Sequence, residues 1–132
     1  MKRAKRLSIL YAEDNEDACL MLSTLLGFSG IDVSLAHSVR ETFRVAQKNR
    51  FDLYLLDNRF CDGTGLELCK QLRAFNPRTP IVFYSGDAFE SDRQKGLAAG
   101  ANAYLVKPET DKVAPTIFQL VTQIPSNNSA VY

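Results

Sequence analysis

Four stretches of the chain, Leu7 to Ala12, Phe51 to Leu56, Pro80 to Tyr84 and Ala103 to Val106, are short runs dominated by apolar, β-branched or aromatic residues. Runs of that length and composition predict strands buried on both faces of a sheet. Ile31 to Ala36 is a weaker fifth. Between them apolar residues recur at helical spacing. Ala18, Leu22, Leu25 and Leu26 stand at i, i+4, i+7 and i+8, which predicts a first helix on that stripe, stopping near Gly27 and Gly30. Ser38 and Glu41 read as a capping box, hydroxyl and carboxylate satisfying free amides before Val39, Phe43 and Ala46 form the stripe of a second helix. Leu66 to Phe75 predicts a third, ending before Asn76-Pro77. Phe89 to Ala98 predicts a fourth, weakened by Gly96 and closed by Gly100. Ile117, Leu120, Val121 and Ile124 mark a fifth that starts at or just before Pro115 and ends at Pro125, because proline fits only the first turn.

Strand and helix alternating five times imply right-handed crossovers and a parallel sheet covered on both faces, an α/β fold. At 132 residues there is room for one domain. Hydrophobic residues at 45% and charged residues at 23% exclude a disordered or fibrous chain. Sixteen basic against fifteen acidic side chains leave +1, too little field to name nucleic acid or an anionic membrane as partner. Cys19, Cys61 and Cys69 are odd in number and lack C-x-x-C spacing, so neither a disulfide framework nor a structural zinc site is expected. They are expected to pack as small apolar residues, with Cys61, near the pocket, a reactive thiol if exposed. The start is too interrupted for a signal peptide, and no stretch approaches a membrane span, so a cytoplasmic location is expected. Asn127-Asn128-Ser129 matches a glycosylation acceptor only formally.

In a parallel sheet the residues just after each strand meet at one edge, where ligands of open α/β folds bind. Here the first strand delivers Glu13 and Asp14, the third Asp57, the fourth Ser85 and the last Lys107. Clustered carboxylates repel unless protonated, paired or bound to a cation, and hard oxygen ligands suit Mg2+. A divalent ion beside Lys107 makes the pocket electropositive enough for a phosphoryl group, to which Ser85 can donate a hydrogen bond. Asp57, on the central strand, is then placed as nucleophile, since carboxylates form aspartyl-phosphate intermediates. Taken alone, Glu13 and Asp14 read equally well as solvated or helix-capping acids. Their joint placement with Asp57, Ser85 and Lys107 favours the site.

With these residues in place, the chain from Leu7 to about Ile124 resembles the receiver domain of bacterial two-component response regulators. The resemblance rests on Glu13-Asp14 in Leu-Tyr-Ala-Glu-Asp-Asn, on Asp57 in Leu53-Tyr-Leu-Leu-Asp57, on Tyr84-Ser85-Gly86 and on Gly100-Ala-Asn-Ala-Tyr-Leu-Val-Lys107-Pro108. It implies a single doubly wound, flavodoxin-like (βα)5 domain with strand order 2-1-3-4-5 over residues 7–124, between a basic leader at 1–6 and a short tail at 125–132. It implies Mg2+ held by Glu13, Asp14, Asp57 and the backbone carbonyl of Arg59, and a phosphoryl group taken by Asp57 from a histidine kinase or histidine phosphotransfer protein. It further implies a switch in which Ser85 moves toward the phosphoryl group and Tyr104 turns inward. That movement alters a face made by the fourth helix, fifth strand and fifth helix, which would meet an unidentified downstream protein and allows a homodimer. The Lys107-Pro108 bond is often cis in such proteins.

Several positions depart from the family pattern. Cys61 stands four residues after Asp57, where proline is usual. Arg59 and Asp87 flank the pocket two residues after Asp57 and Ser85, and are expected to pair and to gate water and phosphodonor access. Ser85 replaces the commoner threonine and keeps the donor, while Pro115 could displace the start of the last helix. Tyr104 is weighed against simple core filler. His37 is read as an exposed loop residue without a role. The alternative function is a phosphorylation-independent interaction module on the same fold. Turnover of external substrates is not expected: the first turn lacks a phosphate cradle for a nucleotide, and Arg59 occupies the place where a dehalogenase-type phosphatase needs a second aspartate.

Overall fold

The computed structural model describes residues 6–123. Ile124, Pro125, the tail, the rest of the basic leader and the formal glycosylation acceptor lie outside the described residues. Five parallel strands form the main sheet: β1 (Leu7–Ala12), β2 (Ile31–Ala36), β3 (Leu53–Leu56), β6 (Ile81–Ser85) and β7 (Ala103–Val106). Their order is β2-β1-β3-β6-β7, so the expected 2-1-3-4-5 topology is present. Between β3 and β6 a two-residue antiparallel pair, β4 (Arg59–Phe60) with β5 (Gly63–Thr64), folds the acceptor loop back on itself. The helices are α1 (Glu16–Phe28), α2 (Val39–Lys48), α3 (Gly65–Phe75), α4 (Glu90–Ala98) and α5 (Val113–Gln123).

Period-two alternation along the central strands sends side chains to opposite faces. Leu10, Ala12, Tyr54, Leu56, Ile81 and Phe83 meet α2 and α3 through Val39, Ala46, Leu68, Cys69 and Leu72. Ile9, Tyr11, Leu53, Leu55, Val82 and Tyr84 meet α1 and α5 through Leu22, Leu26, Val113 and Ile117. All twelve of these sheet residues are buried, each leucine, isoleucine and valine contributing about 1.5–3 kcal/mol of hydrophobic stabilisation. Being doubly covered, β1, β3 and β6 carry continuous apolar runs. Ala103 to Val106 departs from that expectation. It forms an edge strand and every residue of it is half-buried.

Local departures have local causes. Ser38 caps α2 by accepting from the Glu41 amide, but the Glu41 carboxylate accepts from His37 N at 2.6 Å, so only half of the expected box forms. Asp62 supplies the remaining acceptors, taking the amides of Val39 and Arg40 at 2.8 and 3.0 Å. The complete box belongs to Thr64 and Glu67 at the start of α3. On α1, Leu25 is 43% exposed, and the buried stripe is Cys19, Leu22 and Leu26. Pro115 falls at the third residue of α5, which follows a 3₁₀ turn over Thr110–Lys112. Gly96 on α4 is a requirement of packing more than a weakness: an added Cβ would lie 2.9 Å from the Tyr104 ring and 3.2 Å from Phe83.

Candidate functional site

The carboxyl ends of the strands assemble the expected groups. Glu13, Asp14 and Asp57 each offer a carboxylate oxygen within 4.8 Å of the others. Lys107, one residue beyond β7, places its Nζ 2.5 Å from Glu13 Oε1 and 3.6 Å from Asp57 Oδ2. Its backbone is fixed by Lys107 N donating to Ser85 O at 2.9 Å, and the Lys107–Pro108 peptide is cis. Glu13 is buried, and its two oxygens are committed: Oε1 accepts from Tyr11 OH at 3.3 Å as well as from Lys107, and Oε2 accepts from Asn15 N at 3.0 Å. Asp14 is exposed, and Asp57 is half-buried.

These positions set the electrostatics. Burial raises the Asp57 carboxyl above its ordinary 3.8, the nearby Glu13 charge adds to the rise, and Lys107 and the Asn58 amide oppose it. Burial lowers the Lys107 ammonium, but its hydrogen bond to Glu13 and the Asp57 charge outweigh that and leave it raised above 10.5. Three carboxylates and one ammonium sum to −2. A hard oxygen donor set with that residual charge fits a divalent cation such as Mg2+.

Ser85 and Tyr104 converge on one residue. Ser85, the buried end of β6, accepts the Asp87 amide on its Oγ at 3.1 Å. Tyr104 on β7 stacks on Phe83 with ring centroids 5.4 Å apart and donates its hydroxyl to the Asp87 carbonyl at 2.7 Å. Pure core filler would not place a hydroxyl there. The Arg59–Asp87 pair forms, with Nη2 and Nε at 2.8 and 3.2 Å from Oδ1. Hydrogen bonds from Arg59 and then Asn58 hold the Asp87 carboxyl below its ordinary range.

Two residues, His37 and Asn58, have a place at the site that the sequence did not assign them, and one cysteine departs from its expected packing. Cys61 does not pack away; it is exposed, while Cys19 and Cys69 are buried, with thiols pushed up to about 11 by burial. His37 is exposed as expected, yet its Nδ1 lies 3.0 Å from the Glu13 carbonyl. A carbonyl only accepts, so Nδ1 carries the proton and His37 borders the site. Asn58, given no role in the sequence, donates its amide to Asp87 Oδ2 at 2.9 Å and its backbone N–H to Asp57 Oδ1 at 2.8 Å.

A flavodoxin-like (βα)5 sheet with acids, a hydroxyl and an ammonium along its carboxyl rim has the architecture of a regulatory receiver module. The profile described as the response regulator receiver domain matches residues 9–118. The chain belongs to that family, and receiver domains of this kind serve two-component signalling. It is similar to the transcriptional regulatory protein ZraR of Salmonella typhimurium, 31% identical over 113 residues that cover 85% of this chain and 26% of ZraR. It is similar also to the sensor protein EvgS of Escherichia coli, at 32% over 120 residues covering 91% of this chain and 10% of EvgS. The crystal structure of a two-component response regulator from Clostridium difficile superposes with a TM-score of 0.86 at 26% identity, covering 92% of this chain and 100% of that one. The chain thus spans about a quarter of ZraR's length. Receiver domains bind Mg2+ at an acidic pocket, interact with histidine kinases and downstream effectors, and regulate instead of turning over substrates. Among the described residues no helix is long and apolar enough to cross a membrane.

Proposed function

We propose that this chain is a phosphoacceptor: Asp57 takes a phosphoryl group from a histidine kinase or histidine phosphotransfer protein, with Mg2+, and the modified pocket alters a partner-binding face. The observation that carries the reading is the convergence of Glu13, Asp14 and Asp57 within 4.8 Å beside the Lys107 ammonium. Glu13, Asp14, Asp57 and the Arg59 carbonyl would hold the ion, which supplies charge neutralisation for the transfer. An Asp57 carboxylate oxygen forms the bond to phosphorus as the bond to the donor nitrogen breaks. Lys107 neutralises one phosphoryl oxygen and the Ser85 hydroxyl donates to another. The Arg59–Asp87 pair, two residues beyond Asp57 and Ser85, gates water and phosphodonor access in this reading. Ser85 and Tyr104, both tied to Asp87, carry the change to the face of α4, β7 and α5, where Phe89 and Phe118 are exposed; a downstream protein or a second copy binds there. The donor docks on the outer face of α1, where Leu20, Met21, Leu25 and Phe28 are exposed on the helix that begins beside Asp14.

Incubation with acetyl phosphate and Mg2+, read by phosphate-affinity electrophoresis, should give one shifted band that disappears in Asp57→Asn and on chelation of Mg2+. A band that persists in Asp57→Asn overturns the assignment. The same variant has a second signature. A carboxyl whose folded pKa is raised binds its proton more tightly in the fold, so its ionisation costs stability as pH rises from about 3.8 through the folded value. Without Mg2+, Asp57→Asn should therefore denature at a higher urea midpoint than the wild type at neutral pH, which separates loss of labelling from loss of folding.

A second reading, an interaction module indifferent to phosphorylation, is favoured by one observation: Tyr104 and Ser85 are already anchored on Asp87. If that anchoring alone sets the α4–β7–α5 face, partner affinity will be equal for labelled and unlabelled protein.

A further inference from the structure

Asn58 ties the acceptor loop to the loop that follows β6. Its backbone N–H donates to Asp57 Oδ1 at 2.8 Å and its side-chain Nδ2 donates to Asp87 Oδ2 at 2.9 Å, so one residue joins the two carboxylates. Asp87 in turn donates its own N–H to Ser85 Oγ at 3.1 Å and accepts the Tyr104 hydroxyl on its carbonyl at 2.7 Å. This path from Asp57 to the two hydroxyls runs through the side chains of Asn58 and Asp87.

Asn58 is held firmly on one side only. Gly65 N donates to Asn58 O at 2.9 Å, and the loop is so close to α3 that a Cβ on Gly65 would fall 2.2 Å from Asp57 O and 2.9 Å from Asn58 Cα. The backbone of Asn58 therefore has no room to drift. Its Oδ1, however, is buried with no hydrogen-bond partner among the described residues. A buried amide oxygen left unpaired costs free energy, and the reverse orientation of the amide would set oxygen against the Asp87 carboxylate. The orientation is thus fixed by the bond to Asp87, at the expense of the other end of the group. Arg59, the other partner of Asp87, has a side chain 81% exposed, so solvent screens its ion pair and Asn58 is the firmer half of the clamp.

We infer that Asn58 is a positioning residue that couples the Asp57 carboxylate to the Ser85 and Tyr104 hydroxyls by holding Asp87 between them. The inference rests on the reading of Asp57 as phosphoacceptor, and it goes beyond it in naming the link. Modification of the Asp57 carboxylate changes the acceptor of the Asn58 N–H, and the rigid attachment of that residue passes the change to Asp87 instead of letting the loop absorb it.

The test uses the full chain with Asn58→Leu, which keeps the volume without the donor, and Asn58→Asp, which keeps the shape but sets a carboxylate against Asp87. Two quantities are read: the 13Cζ signal of Tyr104 in unlabelled protein, assigned with Tyr104→Phe, and the lifetime of the band formed with acetyl phosphate and Mg2+. Both variants should move the Tyr104 signal, Asp more than Leu. Both should shorten the lifetime, by about tenfold or more, the scale on which one hydrogen bond to a charged group acts. In an Asp87→Ala background Asn58→Leu should add nothing further. A role in packing alone would leave Leu indistinguishable from Asn. That result, or effects of Asn58→Leu and Asp87→Ala that simply add, overturns the inference. Should the wild type never label at Asp57, the phosphoacceptor reading fails by itself, while the Tyr104 signal and its dependence on Asp87 still decide the clamp.

Discussion

Among the described residues the two rims of the sheet each carry one half-buried cation, and the contrast between them separates architecture from chemistry. At the amino rim the Arg73 guanidinium, reaching from α3, donates to Gly100 O at 2.8 and 3.1 Å, to Thr79 O at 2.8 Å, to Asn76 O at 3.2 Å and to Asn102 Oδ1 at 2.9 Å. Every acceptor is neutral, and most are carbonyls that the ends of α3, α4 and β6 would otherwise leave unpaired. At the carboxyl rim the Lys107 ammonium meets Glu13 and Asp57, two of three crowded carboxylates that it cannot balance alone. A cation among satisfied carbonyls finishes a fold. A cation among surplus acids leaves a charge for something else to answer.

Removing the two cations should break the protein in different ways. Lys107→Met leaves Glu13 buried without its ionic partner, and breaking one side of such a pair costs about 3 kcal/mol. Mg2+ should restore most of that loss, because a divalent ion takes over the neutralisation of the same carboxylates. Labelling of Asp57 by acetyl phosphate should nonetheless fall about 100-fold, the scale of losing one preorganised charge-stabilising donor. Urea midpoints with and without Mg2+, alongside the labelling assay, check both statements. If Mg2+ leaves Lys107→Met as weak as before, the two rims do not differ as described.

Arg73→Met keeps the stem of the side chain and strands its carbonyl partners, so stability should drop by about 2 kcal/mol. Here Mg2+ should recover nothing beyond what it gives the wild type, and the labelling rate of the folded protein should stay within about twofold of it, since small effects at distant sites are independent. A labelling defect as large as that of Lys107→Met would mean that the amino rim takes part in the chemistry.

The carboxyl rim was legible in the sequence and the amino rim was not, for a physical reason. Glu13, Asp57, Ser85 and Lys107 each follow directly on an apolar run, so strand ends and site residues coincide. Arg73 shares no such landmark: its partners lie up to 29 residues away and are mostly main-chain atoms, to which side-chain patterning is blind. The same blindness hid Asn58, whose amide is interpreted only by the position of Asp87. His37 had a usable signal. Parallel pairing of Ala12 with Ala36 places the next residues, Glu13 and His37, side by side. On the helices, Leu25 was assigned to the core stripe because α1 is apolar nearly all round, so periodicity could not tell its inner from its outer face. Thr64 lies just outside the helix that the apolar pattern predicts from Leu66, so its cap went unread, although the T-x-x-E spacing of a capping box is present there.

The outer face of α1 offers the smallest effect on the fold and the sharpest on recognition. Leu20 is 67% and Phe28 84% exposed, far more than the core stripe of the same helix, and substitutions at such positions usually change stability by no more than about 0.5 kcal/mol. An apolar strip that contributes so little to stability is free to serve the donor docking proposed for it. It lies on the helix capped by Asn15, next to Asp14, so a donor protein lying along α1 has its end at the pocket mouth. Leu20→Gln with Phe28→Gln should therefore leave the urea midpoint and labelling by acetyl phosphate unchanged, because a small donor needs only the rim. Transfer from a phosphorylated histidine phosphotransfer protein should slow about tenfold, the cost of weakening one apolar anchor of an interface. Equal slowing with both donors would place these residues in the pocket's own architecture, and no slowing with either would move the docking surface away from α1.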